Sequence, residues 1–445
     1  MKARLLAGAA KVDITPAIGS SLSGFIARLE NSTGIADPIH SRALILSHGE
    51  RSLAIVQLDL LALAAWQVDQ IREACRTILG IPSECVLVSC THTHSAPGMV
   101  PLRGCEVAPL AYQWSVIEKT IRALQTAHRT RREATATIAS VPFRLGVNRR
   151  QKTPEGGVTL GVAPGRPAPT TLEVLHLHVT GGAPILLFTH AAHPYVLGGE
   201  STLVSGDFPS WACLTLEKAQ RGTVAMFLNG CAGNIAPRSA FQGLVAARGE
   251  GGRLAEAVLS GIESAKPLRV NALAGESRRV VFDYRELPAL HELEAMVGEQ
   301  ERTVRPEERE NLEVTRKIRD AYQNWANSLR RILARQDPLI PAIGEVQLLQ
   351  LGELAIIGIS GEPFFEIGQQ IARSSGFRHN WPLGYCNAYS GYLPTAASFS
   401  EGGYEVNDSY RYLDTWQIAP SSSARVVAVG KQLLTSARKS AGKRP

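Results

Sequence analysis

The chain has 445 residues, 44% of them hydrophobic and 20% charged, and carries a formal net charge of +7. No apolar run is long enough for a membrane-spanning helix, and seven scattered cysteines without a CxxC pair argue against a disulfide framework or a zinc knuckle. The positive charge is split among HRTRR (128–132), RRQK (149–152) and the tail from Arg438, with few aromatics. This excludes a nucleic-acid binder in favour of solvated faces, although a basic balance can steer acidic substrates.

Taken in chain order, SLAIVQLDLLAL (52–63) predicts a buried strand and 68–79 a helix. A strand at 84–89, a helix at 114–126 and strands near 134–142, 171–179 and 184–190 follow. The surroundings of Leu214 read as helical, 224–228 as a strand and 251–264 as a helix. This alternation predicts an α/β fold, mixed β-sheets flanked by helices, in a single domain over 1–437. From 287 to 336 the chain turns charged and helical. Ile318, Tyr322, Trp325, Leu329 and Ile332 form one apolar stripe, and Pro306 suits a first helical turn. A helical hairpin is expected there, as a roof over a cleft or as a plain outer layer. Strands at 343–351 and 354–359 and a helix after Pro363 come next. The Gly-, Tyr-, Ser- and Asn-rich stretch 380–418 reads as functional loops. Ser423 is the expected cap of a last helix at 424–437, followed by a frayed basic tail at 438–445.

The chemistry begins at THTHSAPG (91–98), after the apolar run CVLVS. Side chains alternate along a strand, so His92 and His94 would share a face and approach one ion, or one would bind while the other moves protons. LHLHV carries the same spacing at His176 and His178, but inside an alternating strand, where a structural role is expected. His193 ends another apolar run, and either His190 or His193 suits a third ligand, with Asp207 in a Ser-Gly-Asp turn nearby. Glu362, between a strand and a helix, is either a ligand or a favourable charge at a helix N-terminus. NGCAGNIAPR (229–238) has the small residues of a concave turn whose amides, at 230–234, would hold an oxyanion. No G-x-S-x-G, Walker or GxGxxG motif occurs.

These pieces, in this order, resemble the catalytic domain of the neutral ceramidase family. AGAAKVDITP looks like its opening segment, SRALIL and IVQLDLLAL its next two strands, and THTHSAPG its THTHSGPG motif. LGVNRR, the spacing from His193 to Asp207, SGEPF and NAYSGYLPT complete the set, over residues 5–435. The resemblance implies one zinc ion held by His92, His193, Glu362 and Tyr389, with His94 and Arg149 on the substrate side. Tyr389 would shift its hold on zinc as charge develops, and Gly233, Asn234 and Tyr392 would meet the substrate. Two departures stand out. Ala236 occupies the family's serine position, so no serine-dependent step can arise there, and Arg238 replaces a neutral residue and could bind a carboxylate bidentately. Length is the other departure, and the family's C-terminal sandwich domain is not expected.

The expected protein is therefore a cytoplasmic zinc hydrolase that cleaves an amide of a small, polar or acidic molecule through a metal-activated water. Ester or lactone hydrolysis, a ceramidase-like lipid amidase and a non-catalytic ligand-binding relative are the alternatives. A homo-oligomer is left open; neither nucleic acid nor a membrane span is expected.

Overall fold

The strand Ile185–His190 shows how the main sheet arises from sequence. All of its residues are buried, and successive side chains point to opposite faces. Leu187 joins one core with Met226 and Leu228. Leu186 and Phe188 join another with Ala225 and Phe227, beneath helices Asp207–Ala219 and Gly243–Glu263. Burial on both faces demands a continuous apolar run, which is why such strands are visible in the sequence.

The computed structural model describes residues 4–303, 311–413 and 415–442, with the side chains of 300–303 and 440–442 outside that description. Its main sheet has nine strands. The order is Val224–Asn229, Ile185–His190, Thr171–Val179, Arg132–Pro142, Leu5–Asp13, His40–His48, Arg51–Leu58 and Val86–Cys90, with Lys266–Pro267 beside Arg132–Pro142. The outermost pair at each end is parallel, and the pairs between are antiparallel. A sheet this wide twists and curls. Here the curl brings the opposite edges together. Val86, Leu87 and Val88 share one core with Val224, Met226 and Leu228, and Asn229 Nδ2 donates to the Thr91 carbonyl at 3.0 Å. The loops that follow Cys90, His190 and Asn229 thereby meet.

A second mixed sheet, Leu273–Phe282, Ala342–Leu351, Leu354–Ile359 and His379–Leu383, leans on the Val86–Cys90 edge. The Cys90 amide donates to the Tyr385 carbonyl at 3.0 Å. Helices Phe365–Ala372 and Ser421–Gly442 cover the other face through Ile367, Ile371, Val427 and Leu434.

The helical hairpin consists of Leu290–Thr303 and Leu312–Arg335; Pro306 lies outside the described residues. Ile318, Tyr322, Trp325 and Leu329 are buried and Ile332 is half-buried, as the stripe predicts. Asn311 caps the second helix, accepting from the Glu313 and Val314 amides. Trp325 stacks on Trp416 at 5.9 Å, while Val314, Ile318 and Tyr322 close over Ile26, Ala27 and Tyr412. The hairpin is thus a roof.

Several boundaries differ from expectation. The 52–63 run leaves the sheet at Leu58, because buried Asp59 collects the His40 amide (2.9 Å), Arg42 (2.7 Å) and Gln57 (2.8 Å). Asp207, expected in a turn, opens a helix at a φ of 57°. The last helix begins at Ser421 and runs through the expected frayed tail to Gly442. Ser423 lies inside it and bonds the Pro420 carbonyl at 3.1 Å instead of capping it. Among the described residues, no helix is long and apolar enough to cross a membrane.

A candidate metal centre at the floor of an apolar cavity

The strand before THTHSAPG ends at Cys90, so His92 and His94 do not converge by strand alternation. His92 instead adopts a φ of 73°, a left-handed conformation that side chains rarely take, and its amide is tied to the Leu60 carbonyl at 2.9 Å. Its Nδ1 donates to the Leu61 carbonyl at 2.8 Å. His94 Nδ1 donates to Gly24 (3.1 Å) and His193 Nδ1 to Ala232 (2.7 Å). Three backbone acceptors thus fix three imidazoles in one tautomer, with the Nε2 lone pair turned inward. The Nε2 atoms of His92 and His94 are buried and have no hydrogen-bond partner. Ligand nitrogens of His92, His94 and His193 lie within 4.8 Å of one another.

Glu362 follows the strand Leu354–Ile359. Its Oε2 lies 3.0 Å from His193 Nε2 and 3.3 Å from His92 Nε2, and its Oε1 accepts from the Tyr389 hydroxyl at 2.7 Å. Burial pushes His193 down to about 4 and His94 well below its ordinary range, so both imidazoles resist protonation. Burial opposes charge on Glu362 too, but His92 and His193 hold its carboxyl well below the usual range. Burial and then Glu362 raise Tyr389 well above its own. A carboxylate oxygen facing imidazole lone pairs is repulsive unless a cation lies between them. The donor set of imidazoles, carboxylate and phenol fits a divalent ion such as zinc.

Arg149 is occupied by neighbours. Its Nη2 donates to the Gly233 carbonyl (2.8 Å) and the Tyr392 hydroxyl (3.0 Å), and its Nη1 to the Tyr195 hydroxyl (3.4 Å). Its Nε donates to Glu405 at 2.9 Å, and the other Glu405 oxygen takes Arg150 at 2.8 Å. Asn234 accepts from the Phe365 amide and donates to Glu366, both at 2.8 Å, so it fastens the helix Phe365–Ala372. The Gly233 amide donates to the Pro363 carbonyl at 3.0 Å and that of Gly230 to His190 at 3.1 Å, which occupies two of the amides expected to hold an oxyanion. A Cβ on Gly233 would stand 2.4 Å from the Glu362 carbonyl oxygen, so only glycine allows that approach. Neither Gly233 nor Asn234 lines the cavity, whereas Arg149, Tyr392 and Arg238 do. His190 is held by the Thr171 carbonyl (2.9 Å) and Asp207 by the Leu197 and Phe208 amides (3.0 and 2.7 Å); both brace loops. His176 and His178 stay on the strand Thr171–Val179, outside the cavity.

The cavity above the centre measures about 470 Å³, with His92, His94, Glu362 and Tyr389 at its floor. One wall is aromatic: Phe25 lies 5.0 Å from His94, Tyr195 5.5 Å from His94, and Phe241 stacks on Tyr195 at 5.2 Å. Ile318 and Tyr322 of the roof helix form another. The lining is thus largely apolar, with Arg149 and Arg238 among its charged groups. Sequence reading missed Phe25, Tyr195, Tyr385 and Arg28. Tyr385 stacks on His92 at 4.1 Å and lies just before the NAYSGY loop, a usable signal. Buried Arg28 donates to the carbonyls of His94 (3.0 Å), Ser201 (2.9 Å) and Gly198 (3.3 Å), tying three loops together with no motif to announce it.

Neither a protein-family model nor a curated protein matches the sequence. Among solved structures, the neutral ceramidase from Pseudomonas aeruginosa is similar with a TM-score of 0.74 at 18% identity, covering 99% of this chain and 75% of its own. A ceramidase complexed with C2 is similar at TM-score 0.74 and 17% identity, covering 98% of this chain and 76% of that one. The chain has the neutral-ceramidase-like α/β fold.

Proposed function

We propose that the protein is a zinc-dependent hydrolase of amide bonds, with His92, His193, Glu362 and Tyr389 holding one ion. The observation that carries this reading is the meeting of three imidazoles at a cavity floor, the Nε2 atoms of His92 and His94 without a hydrogen-bond partner and the Glu362 carboxylate beside His92 and His193. The fold's likeness to ceramidases supports an amide, rather than an ester or lactone, as the bond cleaved.

Zinc in that set would supply Lewis-acid charge for the scissile carbonyl and bring water into the range where it ionises near neutrality. The chain's own residues do the rest. His94 stands at the cavity side of the set, between Phe25 and Tyr195 and without a contact to Glu362. Its Nδ1–H is held by Gly24, so its Nε2 can take the proton from the attacking water and return it to the leaving nitrogen. Tyr392 accepts an Arg149 N–H and its hydroxyl lies 3.4 Å from His193 Nε2; with that nitrogen engaged by a metal, its hydrogen would turn to the developing oxyanion. Glu405 keeps Arg149 charged and aimed in this buried place. Ala236 lines the cavity as a methyl group and offers no hydroxyl nucleophile at its position.

The test is metal analysis and amide turnover on the purified full chain. Zinc near one equivalent, with turnover stopped by a chelator and restored by zinc, is expected. Protein without metal, or turnover indifferent to chelation, overturns the reading.

A further inference from the structure

One side of the cavity is a two-stranded ribbon, Gly146–Asn148 against Ile235–Pro237. Val147 lies opposite Ala236, and the pairing continues outward through Arg149 N to the Asn234 carbonyl (2.9 Å) and Arg238 N to the Leu145 carbonyl (3.1 Å). Alternate residues of a strand share a face. Val147 and Arg149 on one strand, and Ala236 and Arg238 on the other, accordingly all line the cavity.

Along this ribbon the chemistry is graded. At the inner end Arg149 is matched by Glu405. In the middle stands the Ala236 methyl. One strand repeat further, about 6.6 Å on, stands Arg238, exposed, its side chain without a hydrogen-bond, ion-pair or ring partner among the described residues. The other carboxylates and guanidinia that line the cavity are engaged: Glu362 by His92 and His193, Asp408 by Arg411 at 3.5 Å, and Arg103 by Ser328 at 3.2 Å. The aromatic wall runs from His94 through Phe25 and Tyr195 to Phe241. At the rim, Phe241 and Val162 are 55% and 53% exposed. An apolar wall open at the mouth, in one cavity with a single unmatched guanidinium, is built for a ligand with one greasy arm and one anion.

We propose that the substrate is an N-acylated amino acid: an apolar acyl chain lies along Phe25, Tyr195 and Phe241, and Arg238 receives the carboxylate. This rests on the hydrolase reading. Water adds across the amide: the carbonyl carbon gains the hydroxyl, the C–N bond breaks, and the nitrogen takes the proton. A free apolar acid and an amino acid leave. Because Arg238 stands beyond Ala236, a carboxylate set several bonds from the amide nitrogen fits better than one set close.

The probes are the decanoyl amides of glycine, γ-aminobutyrate and ε-aminocaproate, each paired with its terminal carboxamide and assayed on the zinc-loaded full chain. The expected result is kcat/KM at least about tenfold higher for a carboxylate than for its carboxamide, carried by KM and larger for the longer spacers. Arg238→Gln should bring that ratio to near one, and Arg238→Lys should restore part of it. No preference at any length, or a preference that survives Arg238→Gln, overturns the proposal. If none of these amides is cleaved, it is the hydrolase reading that fails. Calorimetric binding of the same pairs to both proteins then decides Arg238 separately, through the same ratio in Kd.

Discussion

Two histidine pairs in this chain share one spacing and differ in everything else. His176 and His178 sit on a regular strand with their rings 3.8 Å apart, the first buried and the second exposed. Among the described residues no third ligand joins them. His92 and His94 follow a strand that has already ended, and the left-handed turn at His92 aims both Nε2 atoms at a space shared with His193. The spacing only permits a site. The end of the strand, and the backbone carbonyls waiting for each Nδ1, create it.

The largest expected effect tests that contrast directly. His92→Ala should strip the zinc and lower kcat/KM by at least ~10³-fold, whereas His176→Ala should change neither; elemental analysis with kinetics reads both. Metal lost from the His176 variant would erase the distinction. Within the inner pair, His94→Gln should keep the ion and lower kcat by ~10²–10⁴-fold. Loss of zinc from that variant would move His94 into the ligand set. A smaller effect is expected of Gly24→Ala. Gly24 has a φ of 103°, and an added Cβ would stand 2.6 Å from the His94 ring. Turnover should fall ~10–100-fold with zinc retained, since a displaced orienting partner costs about that much. The smallest effect belongs to the outer pair. Burial first, then His178, lowers His176 to about 4, below its ordinary 6.5. The unfolded chain therefore gains a proton that the folded one refuses, and stability present above pH 6.5 is lost as pH falls toward 4. In His176→Phe, denaturant titrations across that window should show a shallower loss, by less than one proton.

Much of this architecture was legible, for identifiable reasons. Strands buried on both faces, such as Ile185–His190, announce themselves as apolar runs. The stripe Ile318–Tyr322–Trp325–Leu329 gave its helix for the same reason. The strand Leu273–Phe282 was invisible, because Glu276, Arg278 and Arg279 interrupt the apolar pattern on both of its faces. His92, His193, Glu362 and Tyr389 could be proposed together from the order of motifs, and the fold brings them around one space. The aromatic wall could not. Phe25, Tyr195 and Phe241 come from separate loops and meet only through tertiary packing. Nor could Arg149 be recognised as a brace, because Glu405 lies 256 positions away in the chain.

The curl of the main sheet has a thermodynamic consequence. The proposed donors follow one edge of that sheet (His92), a strand toward the opposite edge (His193) and a second sheet (Glu362 with Tyr389), so these three groups come together only once the sheet has closed. An ion bound there would act as a clasp on the whole architecture. Each tenfold rise in free zinc above its dissociation constant would add ~1.4 kcal/mol to the stability of the closed form. Amide exchange in Val86–Cys90 and Val224–Asn229 would slow together, even though these strands stand at opposite ends of the hydrogen-bonded order. Loading the centre and fastening the two edges are one equilibrium.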